Sequence, residues 1–289
     1  MDDARCSDEL GVLRREVRLL RTALNRRPPG LDLLLRRRGF TVYKKEPADK
    51  ILIPQPRRRT GFYRMLHKYS FRLFLRDAIR HRDLFTIEDV SRYAGLRVAG
   101  DYIDYLRSIG LAKKKANACL LTHRRITSFG ETLEWYIAEM FKREFGCEAV
   151  WGVKFRRPRV GGDYDVIAKM GEALLYVEVK SSPPKQIFSS EITAFLDRIT
   201  DLAPDLSVFF VDTELRMKDK IVPLFEEELR RRRAALNVEH IERELFAVGD
   251  SIFIMNAKES VLRNFEFVLN RSYQTSFRYL MPPAYVATR

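Results

Sequence analysis

Two short runs in the second half of the chain carry residue types that could do chemistry together. Gly161-Gly162-Asp163-Tyr164-Asp165-Val166 is followed by Val177-Glu178-Val179-Lys180, with Glu178 13 positions after Asp165. Side chains alternate faces along a strand, so Glu178 and Lys180 point together while Val177 and Val179 pack the other side. A carboxylate and an amine therefore converge. A turn over 169–173, which contains Gly171, would let the preceding strand pair and bring Asp165 to the same place. Two carboxylates and a backbone carbonyl there would form an open oxygen-ligand site suited to Mg²⁺, which keeps several of its waters.

The elements needed to hold those residues are legible around them. Past Gly130 the pattern alternates helix and strand, as in an α/β domain. A helix is expected over 131–145, ending at Gly146, with strands over 149–155, 164–168 and 174–179. After Pro183-Pro184 come a helix over 187–202, an apolar strand over 206–211, a charged helix from about Pro223 and a strand over 251–255. A Glu-x-Lys triplet alone is weak, since composition produces such triplets by chance. Its weight comes from ending an apolar strand with Asp165 upstream.

In these features the second half resembles the PD-(D/E)XK nuclease superfamily of restriction endonucleases and archaeal Holliday-junction resolvases. Gly130 and Glu134 match the Gly-x-x-x-Glu start of its leading helix, Gly161, Asp165 and Val166 match its Gly-x-x-x-Asp-Val, and Glu178 and Lys180 match its Glu-x-Lys. Tyr164 stands where a proline is common. The resemblance implies an α/β fold with a restriction-endonuclease-like mixed sheet flanked by helices. It implies that Asp165, Glu178 and the carbonyl of Val179 hold Mg²⁺ (or Mn²⁺), while Lys180 orients or helps deprotonate the attacking water. It also implies hydrolysis of DNA, duplex or branched, to 5′-phosphate and 3′-hydroxyl ends. Glu134 is a further catalytic candidate, although a glutamate in a first helical turn is favoured by the helix dipole alone. Gln186 and Asp163 are accessory candidates. Arg156, Arg157 and Arg159 either hold the substrate backbone or simply stand exposed.

The net charge of +14 is unevenly placed: residues 1–130 hold 30 Lys+Arg against 14 Asp+Glu, and residues 131–289 hold 23 against 25. A basic first half beside a neutral second half points to a polyanion met by the first, nucleic acid above all, although any single basic run can be solvated surface. Over 62–127 the pattern gives a helix over 63–80, a second helix capped by Thr86 and Asp89 and ended at Gly95, and a third over 98–109. Val98, Tyr102, Leu106 and Ile109 share a face of that third helix. A hairpin with a basic tip follows. This order resembles a winged-helix domain, in which the third helix enters the major groove and the wing touches phosphate. Arg97, Arg107, Lys113, Lys114 and Lys115 are the candidate phosphate contacts. Asp101 and Asp104 on the same helix oppose that use and suit protein contacts.

Residues 1–27 are expected to form a coiled-coil-like helix, with Leu10, Leu13, Val17, Leu20 and Leu24 on an a/d seam. Two heptads are too short to stand alone, so the Leu10–Leu24 helix forms a homodimer or packs on its own chain. Residues 28–61 are expected to connect, and 128–289 to form the nuclease-like domain. Cys6, Cys119 and Cys147 lack metal-ligand spacing. His67, His81, His123 and His240 are scattered, and no Gly-x-Ser-x-Gly elbow or phosphate-cradling glycine loop occurs. No apolar run is long enough for a membrane span and no signal peptide is seen, so a cytoplasmic location is expected. The sequence supports a Mg²⁺-dependent endonuclease. A non-catalytic DNA-binding regulator, its nuclease-like domain serving dimerisation, and an RNA-processing factor are the alternatives.

Overall fold

The structure, a computed structural model, describes residues 13–17, 29–123, 125–156 and 160–278, with side chains as far as residue 274. Helix α1 (Leu31–Arg37) and strand β1 (Val42–Lys44) lead into helices α2 (Arg59–Leu66), α3 (Tyr69–Arg80), α4 (Ile87–Val90) and α5 (Gly95–Ser108). A hairpin of β2 (Ala112–Lys115) and β3 (Ala118–Leu121) follows. Then come α6 (Gly130–Glu144), β4 (Glu148–Phe155), β5 (Tyr164–Met170), β6 (Ala173–Lys180), α7 (Ser189–Leu202), β7 (Leu206–Val211) and α8 (Ile221–Arg231). The described chain continues through β8 (Val238–Glu242), β9 (Leu245–Val248), β10 (Ile252–Asn256) and α9 (Val261–Arg278).

The chain is an α/β protein on an eight-stranded mixed sheet flanked by helices, in the order β1-β4-β5-β6-β7-β10-β9-β8. β6, β7 and β10 run parallel and the other neighbours antiparallel. Parallel neighbours need a crossover, and α7 supplies it between β6 and β7. All six residues of β7 are buried, as expected for a strand covered on both faces. In β6 the faces divide by alternation. Leu175, Val177 and Val179 enter the core shared with α6 and α9, while Leu174 and Tyr176 enter the one shared with α1, α7 and α8. That division leaves Glu178 and Lys180 on the α7 side.

Four expectations for the first half are corrected. The pattern over 63–80 predicts one helix, but α2 and α3 are separated at His67-Lys68, where Lys68 is extended (φ −77°, ψ 117°). Arg72 turns back across this break and donates from Nη1 to the carbonyls of Leu66 (2.6 Å) and His67 (3.2 Å), satisfying the end of α2. On α5 the buried residues are Ala99, Tyr102 and Leu106, and Val98 is exposed. Gly95 opens that helix instead of closing the one before it. The segment 28–61 does more than connect. Leu31, Leu34 and Leu35 of α1 bury against the sheet, β1 pairs with β4, and the Leu52 N–H donates to Thr132 Oγ1 (3.0 Å).

The reciprocal cap of Thr86 and Asp89 is present, with the Thr86 N–H donating to Asp89 Oδ2 (2.7 Å). The basic hairpin is also present, its strands joined through Ala116, which takes the left-handed conformation (φ 53°). Most of the expected Leu10–Leu24 seam lies outside the described residues; residues 13–17 are helical, with Leu13 and Val17 exposed. Among the described residues no helix is long and apolar enough to cross a membrane.

Candidate active site

The β5–β6 hairpin turns through Gly171 (φ 60°), and its ladder runs from Met170↔Ala173 to Val166↔Val177. Asp165 and Glu178 would form the next pair, but the strands part there. Asp165 Oδ2 accepts from the Val179 N–H (2.7 Å), so a side-chain carboxylate takes the place of a strand carbonyl at the fork. This bond draws Asp165 toward the end of β6, where Glu178 and Lys180 emerge on the α7 side.

Glu178 is 2% exposed and fully engaged. Its Oε1 accepts from Lys180 Nζ (2.9 Å) and its Oε2 from Arg198 Nη1 (2.8 Å) and from the Tyr176 hydroxyl. Lys180 Nζ also donates to Glu191 Oε1 (3.0 Å), while Glu191 Oε2 accepts from the Phe188 N–H at the start of α7 (3.0 Å). Glu191 and Arg198 stand two turns apart on α7, so one helix face delivers an acid and a base onto one strand end. Arg198 leaves so little room beside Gly162 that a Cβ there would lie 2.5 Å from Nη2. With φ at 102°, that position needs glycine.

The electrostatics follow from crowding. Burial, then the Glu178 charge, hold Asp165 well above the usual carboxylate range. Burial, then Asp165, do the same to Glu134, which α6 presents from the other face. For Lys180, burial favours the neutral amine, but Glu178 and Asp165 outweigh it and hold the group above its ordinary value, so it stays a cation. These acids offer oxygen donors only and repel one another, a donor set that fits a hard divalent cation. Among the described residues no three His, Cys, Asp or Glu side chains converge closely enough to hold a metal ion.

Asp165, Glu178 and Lys180 thus meet as their spacing predicts. Asp163 does not join them; it pairs with Lys154 (2.8 Å). Gln186 sits in a turn over Pro184–Gln186 and lines a neighbouring cleft. Arg156 is exposed, and Arg157 and Arg159 lie outside the described residues. Arg97 and Lys113–Lys115 are exposed on α5 and β2, and Arg107 pairs with Asp104 (2.8 Å). The sequence reading missed Tyr176, Glu191 and Arg198. Tyr176 had a signal, since it precedes Glu178 by two on the same strand face; the two α7 residues had none without the crossover.

No protein-family model matches the chain, and neither does any curated protein. Solved structures with distant likeness include Can2 from Sulfobacillus thermosulfidooxidans in complex with cyclic tetra-adenylate, at 15% identity and a TM-score of 0.49, covering 84% of this chain and 61% of that one. Protein VC1899 from Vibrio cholerae is another, at 11% identity and a TM-score of 0.42, covering 84% and 60%. The chain thus spans about three fifths of the length of each.

Proposed function

We propose that the chain is a metal-dependent nuclease of the PD-(D/E)XK type that hydrolyses DNA. The observation that carries this reading is the meeting of Asp165, Glu178 and Lys180 at the fork between β5 and β6. Asp165, Glu178 and the Val179 carbonyl would hold Mg²⁺ or Mn²⁺. Such a cation, when bound, lowers the pKa of a water and screens a phosphate. Lys180, paired with Glu178 and Glu191, would orient or help deprotonate the attacking water. Glu134 assists from α6. The basic region over 62–127 would act as a winged-helix-like module, with Arg97, Arg107 and Lys113–Lys115 on substrate phosphates.

Substituting Lys180→Ala and measuring both cutting and binding tests this. Cutting should fall by at least two orders of magnitude while affinity for DNA stays. Equal cutting by both forms would refute the assignment.

One observation favours a second reading, a non-catalytic DNA-binding regulator. Both oxygens of Glu178 are already taken by cations of the chain itself, Lys180 and Arg198. In that case Mg²⁺ would not bind, and titration calorimetry with the metal alone would show no heat.

A further inference from the structure

Beside the catalytic strand end lies a second feature, a cleft of about 720 Å³ between α3 and the loops that leave β6 and β7. One rim is Ser181-Ser182-Pro183, which directly follows Lys180, and the facing wall carries Arg76, Arg80 and Arg82. Three aromatic rings line it, and each has an arginine beside it. The guanidinium carbon of Arg72 is 5.3 Å from the ring centre of Tyr69, that of Arg76 is 5.9 Å from Phe129, and that of Arg92 is 5.3 Å from Tyr93.

Tyr93 and Arg80 are open to a ligand, at 49% and 68% exposure of the residue and the side chain. Asp77 and Glu214 also line the cleft, and Asp77 faces Arg80 at 3.7 Å. The wall is fixed to the catalytic strand: Arg76 Nη2 donates to Asp212 Oδ2 (2.5 Å), and the Asp212 N–H donates to the Lys180 carbonyl (2.8 Å).

Phe129 and Arg72 are buried, which leaves the exposed Tyr93, with Arg92 beside it and Arg80 in the same cleft, as the ring on which an unpaired base can stack while its backbone meets positive charge. Paired bases inside a duplex offer no free face. The size falls within the ~300–1,000 Å³ of ligand sites, enough for a nucleotide or two and far too narrow for a helix. We infer that this cleft holds an unpaired stretch of nucleic acid and leads it to Lys180. The inference rests on the nuclease reading, for which it names the form of the substrate.

The test is fluorescence anisotropy in EDTA with a labelled oligonucleotide of about twelve nucleotides, single-stranded and as a blunt duplex, as DNA and as RNA. Either sugar satisfies the inference. Wild type should prefer the single strand, and Tyr93→Ala and Arg80→Glu should each weaken single-strand binding about fivefold or more and duplex binding by clearly less. Both positions are exposed, and circular dichroism with a melting curve checks each fold; if Arg80→Glu fails to fold, Tyr93→Ala decides. Unaltered single-strand affinity, or equal losses for both forms, would overturn the inference. Cutting in Mg²⁺ is scored apart. Binding that follows the cleft variants with no cutting anywhere would refute the nuclease reading and keep the cleft, whereas cutting by wild type with single-strand binding indifferent to both substitutions would do the reverse.

Discussion

Glu178 shows how much one side chain must satisfy before it can sit at the end of a buried strand. A carboxylate that is 2% exposed has lost its water, and here an ammonium, a guanidinium and a phenol replace it. Removing the phenol alone is the mildest probe of that arrangement. Tyr176→Phe keeps the ring, whose neighbours Tyr164 and Phe195 lie 5.3 Å and 5.8 Å away, and deletes only the hydroxyl donor. The expected loss is roughly 1–3 kcal/mol in urea unfolding; an unchanged midpoint would show that the hydroxyl does not bear on Glu178. Asp165, Glu178 and Lys180 were readable because strand alternation and one turn suffice to place them. Arg198 was not, because its contact depends on a helix returning across the sheet. The accessory candidate Asp163 is paired with Lys154 on β4.

At the scale of elements, α7 matters most, since it brings Glu191 and Arg198 to the site and must itself be held. Part of its support is Glu228 on α8, which accepts from Arg231 (2.6 Å) and Arg232 (2.7 Å), while Arg232 reaches Asp197 of α7 (2.5 Å). The hydrogen bond from Arg231, with those of Arg232, holds the Glu228 carboxyl down at about 2 against a burial effect that would raise it. A depressed folded-state pKa means stability that is present above the ordinary carboxylate value and lost as pH falls from there toward 2. Glu228→Gln should flatten the stability-versus-pH curve in that window and leave its shape near neutrality unchanged; an identical acid limb in both proteins would contradict this.

Elements with strong periodic patterns, β4 to β7 and α6 to α8, were legible to within a residue or two. β8 was not, because Val238-Glu-His-Ile-Glu242 is a charged, mostly exposed edge strand, the composition that blunts edges. α9 was missed although Val261, Phe265, Val268 and Leu269 carry a helical spacing that buries.

For the whole molecule, one apolar core runs from Phe62, Phe71 and Leu106 of the helical half through Trp135 and Phe141 to Val177 and Phe265. The charge asymmetry of the sequence therefore divides a surface and not an interior. The polar counterpart of this continuity is Asp212, which is 0% exposed and receives Arg72 (2.9 Å) and Arg76 (2.5 Å) from α3. Asp212→Asn would leave two guanidinium groups without their countercharge, Arg72 at 1% exposure, and is expected to cost about 3–5 kcal/mol. Calorimetry should show a single transition, shifted down in the variant; two separate transitions in wild type would mean that the halves fold independently. The proposed function rests on the fork between β5 and β6. The direct measurement is cleavage of a panel of duplex, branched and single-stranded DNA in Mg²⁺, Mn²⁺ or EDTA, by wild type and Asp165→Asn, with product ends identified. Cutting that requires the metal and Asp165 and leaves 5′-phosphates is the expected result, and cutting that survives EDTA or the substitution, or none on any substrate, would contradict it.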